Sequence, residues 1–397
     1  MHPSLLFSFC CLVVTQVSAA VWSGAGNPDN IWDPANWHQG AAPTYEDPVW
    51  EISAGLTARV DTASAPAWII KRGEGALVLG SSLPDTISLE VEQGTVSWTD
   101  PVALGHLRLS GGLLAAGQSL QVGLMEIAGA TDLNLATLPN LSVGTLRVES
   151  TGTVTWSENV LASSLEIEAG LVDFTDTRVP ASVAITLNGG EMIGGILESQ
   201  VTATGGTLSS TILGNFYLRG GQVTANGAQI YGQVLLEGGM LSGYLGTMGS
   251  IFTAWYGGQV HIAGTLYMES MGALGFPLEF AELTQPIVVT GEFSSSMTNV
   301  LDFGLIDWHD PYWDEIRQFT VIDVWEGGVV NATFAHDETI GDGQGLWSRA
   351  DNTEGDLIMR WTPQDVAPVP EASTTGLLAL AALALVSVRR KRRGRLQ

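Results

Sequence analysis

Along most of the chain, short runs alternate apolar and polar residues, as in Thr145-Leu146-Arg147-Val148 and Gln222-Val223-Thr224-Ala225. A period of two assigns strands with one face turned inward. Glycine pairs punctuate these runs at Gly111-Gly112, Gly189-Gly190, Gly205-Gly206, Gly220-Gly221, Gly238-Gly239 and Gly257-Gly258. From Gly189 onward the spacings are 16, 15, 18 and 19 residues. A loose but persistent period, with a glycine corner followed by an alternating strand, predicts coils of β-structure stacked on one another. Glycine suits such corners because the chain must turn through positive φ while the next coil lies only about 4.8 Å away. A β-sandwich is the competing architecture. It would favour Asn-Gly or Asp-Gly hairpins of the kind Asn226-Gly227 offers, rather than repeated Gly-Gly corners.

The predicted fold is therefore all-β, a Gly-rich parallel β-helix or solenoid over residues 45–285. At about 15 to 22 residues per rung this makes about 11 to 16 coils. Inward Val, Leu and Ile, as in Val234-Leu235-Leu236, would stack on their counterparts above and below. After Pro286 the glycine pairs thin out and longer strands appear near 287–289, 319–324 and 357–361, so residues 286–366 read as a β-rich closing region. Tyr217, Tyr231, Tyr244, Tyr256 and Tyr267 fall in consecutive predicted rungs. They would either pack within the coil or form an exposed strip able to stack on sugar rings.

The two ends differ from this pattern. Residues 1–20 contain an apolar stretch from Leu5 to Val14 and finish on Ser18, Ala19 and Ala20, which reads as a secretory signal peptide, although only His2 stands where positive charge is usual. Cys10 and Cys11 are the only cysteines, so the processed chain would have none. That leaves no material for a disulfide framework, thiol catalysis or a cysteine metal site. Residues 376–388 form a second apolar run, followed at once by Arg389, Arg390, Lys391, Arg392 and Arg393. This predicts one C-terminal transmembrane helix with a cytoplasmic basic stop.

Charge sharpens that topology. Of 16 Lys and Arg, six lie in the tail, leaving 10 against 41 Asp and Glu, so the part before the anchor carries −31. Such a surface disfavours nucleic acid as a partner.

Val369, Pro370, Glu371 and Ala372, followed by the apolar span and the arginine cluster, resemble the PEP-CTERM sorting signal, over residues 367–397. Ala372 stands where that motif has its second proline. The resemblance implies export in a Gram-negative bacterium, anchoring in the inner membrane, processing by an exosortase-type protease, and a final place at the cell surface or outside the cell. A second resemblance lies in residues 21–44. Trp22, Gly24, Trp32, Asp33, Asn36, Trp37 and Pro43 fit a pattern that opens many autotransporter-like β-repeat proteins. Physically, Trp22, Trp32 and Trp37 can cover an apolar first rung, with Asn36 hydrogen-bonding turn backbone.

Little chemistry stands out. The segment Asp307, Trp308, His309, Asp310, Tyr312, Trp313, Asp314, Glu315 combines carboxylates with flat rings. Trp308, Tyr312 and Trp313 are candidate glycan contacts, against the plainer reading of a solvated acidic loop. It lacks calcium-loop spacing. The ten basic residues before the tail, Arg59, Lys71, Arg72, Arg108, Arg147, Arg178, Arg219, Arg317, Arg349 and Arg360, are scattered, leaving little for a lyase site. The six histidines show no paired metal spacing, and neither a Gly-x-Ser-x-Gly elbow nor a P-loop occurs. The expectation is a non-catalytic structural or adhesive surface protein, with no cofactor and no metal, partnered by envelope or matrix polysaccharide. The alternative is a polysaccharide lyase or hydrolase on the same scaffold, since 41 acidic residues allow many carboxylate pairings.

Overall fold

A computed structural model describes residues 19–27, 30–38, 40–44, 49–62, 65, 67–115, 117–138, 140–253, 259–269, 273–275, 285–302, 311–325, 327–336, 345–351 and 355–363. The chain is all-β and divides into two compact units, residues 1–173 and 174–397. Both are parallel β-solenoid, about 11 turns in all, and helix among the described residues is confined to short 3-10 segments. The signal peptide up to residue 18, the sorting signal and the expected membrane helix lie outside the described residues.

In the first unit, strands Ala20–Trp22, Val49–Ile52, Trp68–Arg72, Ser88–Val91, Val102–Leu109, Leu120–Ile127, Leu141–Val148 and Leu161–Ile167 each pair in parallel with the next. A second stack joins Thr57–Val60, Ala76–Leu79, Thr95–Trp98 and Leu113–Leu114. Register explains the core. Val91, Leu109, Ile127, Val148 and Ile167 are successive partners and all are buried. Leu89, Leu107, Met125, Leu146 and Leu165 form the same kind of column two residues away. Each such side chain contributes about 1.5–3 kcal/mol of burial. The alternation seen in sequence is thus repeated vertically.

Corners are where glycine becomes a requirement. Gly94 sits at φ +72°, and a β-carbon there would meet the Gly73 carbonyl at 2.5 Å and the Lys71 ammonium at 2.7 Å. Gly221, at φ +64°, would drive a β-carbon into the Thr204 carbonyl of the preceding coil. An L side chain is disfavoured at both by conformation and by space.

In the second unit, one inward column runs Ile185, Val201, Phe216, Val234, Ile251, Leu274, Leu301. Its steps begin at 16, 15, 18 and 17 residues, as the glycine spacing implied, then lengthen to 23 and 27. The change of texture at Pro286 is not a change of stacking. Ile287–Val289 pairs in parallel with Val260–Ile262 and then with Arg317–Val324, and Glu292–Asp302 pairs in parallel with Val329–His336. The glycine pairs thin out because excursions of 27 to 37 residues replace tight corners. Antiparallel pairing closes the described strands at Leu357–Pro363, which pairs with Arg317–Val324 on one side and Gly345–Asp351 on the other.

Candidate functional site

The tryptophan-rich segment following the first strand folds over the first rung. Trp22 and Trp37 meet edge to face at 5.0 Å between ring centroids, and Trp37 meets Trp50 at 5.9 Å. The polar edges of Trp22 and Trp37 face backbone. Trp22 donates to the Thr57 carbonyl at 3.1 Å and Trp37 to the Ile31 carbonyl at 2.8 Å. Asn36 is fully buried, accepting from the Gly26 amide at 2.8 Å and donating to the Asn27 and Asn30 carbonyls. Asp33 caps the 3-10 segment Pro34–Asn36, and amide hydrogen bonds from Asn27 and Ala35 hold its carboxyl below the usual range. Trp32 is half-buried, its backbone amide donating to the Asn30 side chain at 3.1 Å. These residues do packing and turn work.

The first unit also carries a ladder of alternating charge. Glu90, Arg108, Glu126, Arg147 and Glu166 are successive register partners on five strands. Stacking at about 4.8 Å places like positions in contact, so charges of alternating sign attract one another along the column. Arg108 lies 3.5 Å from Glu90 and 3.4 Å from Glu126, while Arg147 lies 3.2 Å from Glu126 and 2.8 Å from Glu166. His106 adds a contact to Glu126 at 2.9 Å. Burial pushes the Glu126 carboxyl up, but the His106 hydrogen bond and charge, with both guanidinium groups, outweigh it and hold the pKa lowered.

Behind the corner at Gly94, Lys71 is fully buried and donates to the carbonyls of Arg72, Gly73 and Gln93. Desolvation lowers its pKa to about 8, opposed by Glu74. All three ammonium hydrogens are engaged by these carbonyls, which makes Lys71 a polar rivet between adjacent coils.

Pairing between coils recurs in the second unit. Arg178 pairs with Glu198, and Arg219 pairs with Glu237 at 2.8 Å while lying 5.5 Å from the Tyr217 ring centroid. Thr224 and Ser242, register partners, join hydroxyls at 2.9 Å. The tyrosines do not share one column. Tyr217 is stacked with Leu235, and Tyr231 follows a strand end. Tyr244 and Tyr267 approach each other at 6.4 Å between centroids. Tyr256 is outside the described residues.

Among the candidate glycan contacts, Trp313 requires correction. It is only 5% exposed and packs against Phe319, Trp347 and Trp361 with centroids 5.8–6.1 Å apart, so it belongs to the core of the closing strands. Trp361 donates its indole hydrogen to the Trp313 carbonyl at 2.8 Å. Tyr312 is half-buried, with the Arg317 guanidinium 4.2 Å from its ring centroid. Trp308 lies outside the described residues, as do Val369 to Ala372 and the basic stop Arg389 to Arg393. No group of three or more His, Cys, Asp or Glu able to hold a metal occurs among the described residues.

The charge ladder and Lys71 were not legible from local sequence. Their signal was present as charges of alternating sign at steps of 18, 18, 21 and 19 residues, but it becomes readable only once coil length is known. No protein-family model, curated protein or solved structure matches this chain.

Proposed function

We propose that this chain is an exported, non-catalytic structural or adhesive protein of the bacterial surface or matrix. Its C-terminal segment is the sorting and anchoring signal, and an exosortase-type protease processes it near Pro370 and Glu371. The observation that carries the structural part is that the basic groups of the solenoid are engaged within it, several of them between neighbouring coils. Seven arginines, Arg59, Arg72, Arg108, Arg147, Arg178, Arg219 and Arg317, are engaged in ion pairs, and Lys71 is held by backbone. Polar groups that hold neighbouring coils together suit a rigid scaffold. The sorting part rests on the order of motif, apolar span and basic stop over residues 367–397.

The test is to express the full chain in a Gram-negative host with and without its exosortase, then fractionate the cells and measure the mass of the product. The expected outcome is an inner-membrane form of full C-terminal length without the protease, and a form ending near Glu371 with it. A cytoplasmic product of unchanged mass in both hosts overturns the sorting reading. The purified full chain, incubated with neutral and acidic polysaccharides with and without calcium, is expected to release no reducing ends. Release would make it the polysaccharide-active enzyme of the alternative.

A further inference from the structure

Register in the second unit brings three exposed apolar side chains into one column. Ile212, Ile230 and Thr247 pair in succession, so the residues that follow them, Leu213, Tyr231 and Met248, occupy equivalent positions on three adjacent coils. Their backbone amides confirm the register, donating to Leu197, Ile212 and Ile230 carbonyls at 2.7, 2.7 and 2.8 Å. Leu213 is 39% exposed, Tyr231 50% and Met248 39%. Other coils also expose large apolar side chains, but Trp68, Leu113 and Leu161 pair with Ser88, Thr95 and Ser142, so it is the repetition of three at the coil spacing that requires an explanation.

The neighbouring residues give the strip its chemistry. Two positions back along the strands, Gln229, Gly246 and Tyr267 are successive partners. A β-carbon on Gly246 would collide with the Gln229 side chain, so the missing side chain is what lets this amide lie across the rung, beside the Tyr244 hydroxyl. Tyr244 is 38% exposed and faces Tyr267 at a 32° tilt. The strip therefore offers aromatic faces interleaved with an amide and hydroxyls, groups that stack on sugar rings and hydrogen-bond their hydroxyls. Glu198 precedes Leu213 in the column and Glu269 follows Met248, so carboxylates stand at both ends. Those ends, on a chain whose part before the anchor carries −31 (10 basic against 41 acidic residues), repel an anionic polymer.

We propose that this strip binds a neutral polysaccharide laid along the stacking direction. The coil rise of about 4.8 Å matches the advance of an extended polymer by one sugar per coil, and Tyr231 is the central platform. The proposal deepens the adhesive reading above, but its binding test does not depend on export or sorting. The detergent-solubilised full chain is run in native gels containing either hydroxyethyl cellulose and xylan as neutral probes or alginate as an anionic one. Retardation by a neutral probe and none by alginate is expected. Tyr231→Ala should weaken the retardation about tenfold, equal to about 1.4 kcal/mol, whereas Tyr231→Trp retains it and Tyr312→Ala leaves it unchanged. Thermal unfolding of each variant establishes that the fold persists, and Leu213→Ser replaces Tyr231→Ala if that variant does not fold. Lack of retardation by every neutral probe, equal retardation by alginate, or insensitivity to the strip variants overturns the proposal. Concentration-dependent self-association abolished by Tyr231→Ala would overturn it too, assigning the strip to a second copy of this chain.

Discussion

The charge ladder of the first unit and the apolar strip of the second are made by the same device and have opposite chemistry. In each, in-register parallel coils bring side chains of equivalent position together at the strand spacing. From Glu90 to Glu166 the column is ionic, each member touches its neighbours, and the exterior is closed upon itself. From Leu213 to Met248 the column is apolar and substantially exposed. Stacking amplifies whatever residue a coil position carries. A charged column that alternates in sign becomes part of the scaffold, whereas an apolar one creates a continuous surface. Perturbing what the two regions share should therefore have the largest effect, and perturbing what separates them progressively smaller ones.

The shared element is the glycine corner. Gly94→Val in the first unit and Gly221→Val in the second should each cost more than about 3 kcal/mol, because a β-branched residue at positive φ must also displace the carbonyl of an adjacent coil. Calorimetric unfolding measures this. Equal, small losses at both corners would mean that the coils slide to make room, and that the columns are not held in register by their corners.

Next in size is Lys71→Met, which removes the donors of the Arg72, Gly73 and Gln93 carbonyls and should cost about 2 kcal/mol at neutral pH. Its pH signature identifies the cause. With a folded pKa of about 8 against 10.5 when unfolded, the unfolded chain binds more protons between those values. Wild-type stability therefore gains from this group as pH rises from about 8 to 10.5, and the variant lacks that gain. Parallel pH dependences for the two proteins would show that burial in the carbonyl cage leaves the Lys71 pKa at its unfolded value.

Glu126→Gln tests the ladder itself. The expected loss is about 1 kcal/mol at pH 7, the scale of a partly exposed ion-pair network. The Glu126 pKa is lowered on folding, so its contribution is complete above the unfolded value near 4.5 and disappears as pH falls through the folded value. The gap between the variant and wild type should close in acid. A gap independent of pH would mean that side-chain packing, rather than charge, holds this column.

How much of this was readable in advance depends on distance along the chain. Alternation and glycine pairs mark strands and corners because both act within a few residues, so the parallel solenoid was legible, as was the local value of Asn36 as a hydrogen-bonding turn residue. Continued stacking beyond Pro286 was hidden, because coils of 27 to 37 residues no longer announce their corners with glycine. Trp313 was ambiguous for a different reason. An indole beside acidic residues looks like a sugar platform until strands Gly345–Asp351 and Leu357–Pro363 bring Trp347 and Trp361 against it. The two columns depend on residues 15 to 21 positions apart and on coil lengths that vary, so no local window contains them.

The smallest expected effect is the stability change in Tyr231→Ala, within about 0.5 kcal/mol, the range of an exposed substitution away from caps, cavities and networks. Its value lies in its contrast with Glu126→Gln. Glu126 touches the coils above and below it through Arg108 and Arg147, so removing its charge must be felt by the fold. Tyr231 is half exposed, and the register it occupies is secured by the buried Ile230 beside it. A side chain that costs little to remove, yet is large, aromatic and repeated in position by apolar neighbours, is placed for something outside the coil. If Tyr231→Ala instead destabilises by more than about 1.5 kcal/mol, the strip is a stabilising column like the ionic one. The two faces would then differ in composition but not in purpose.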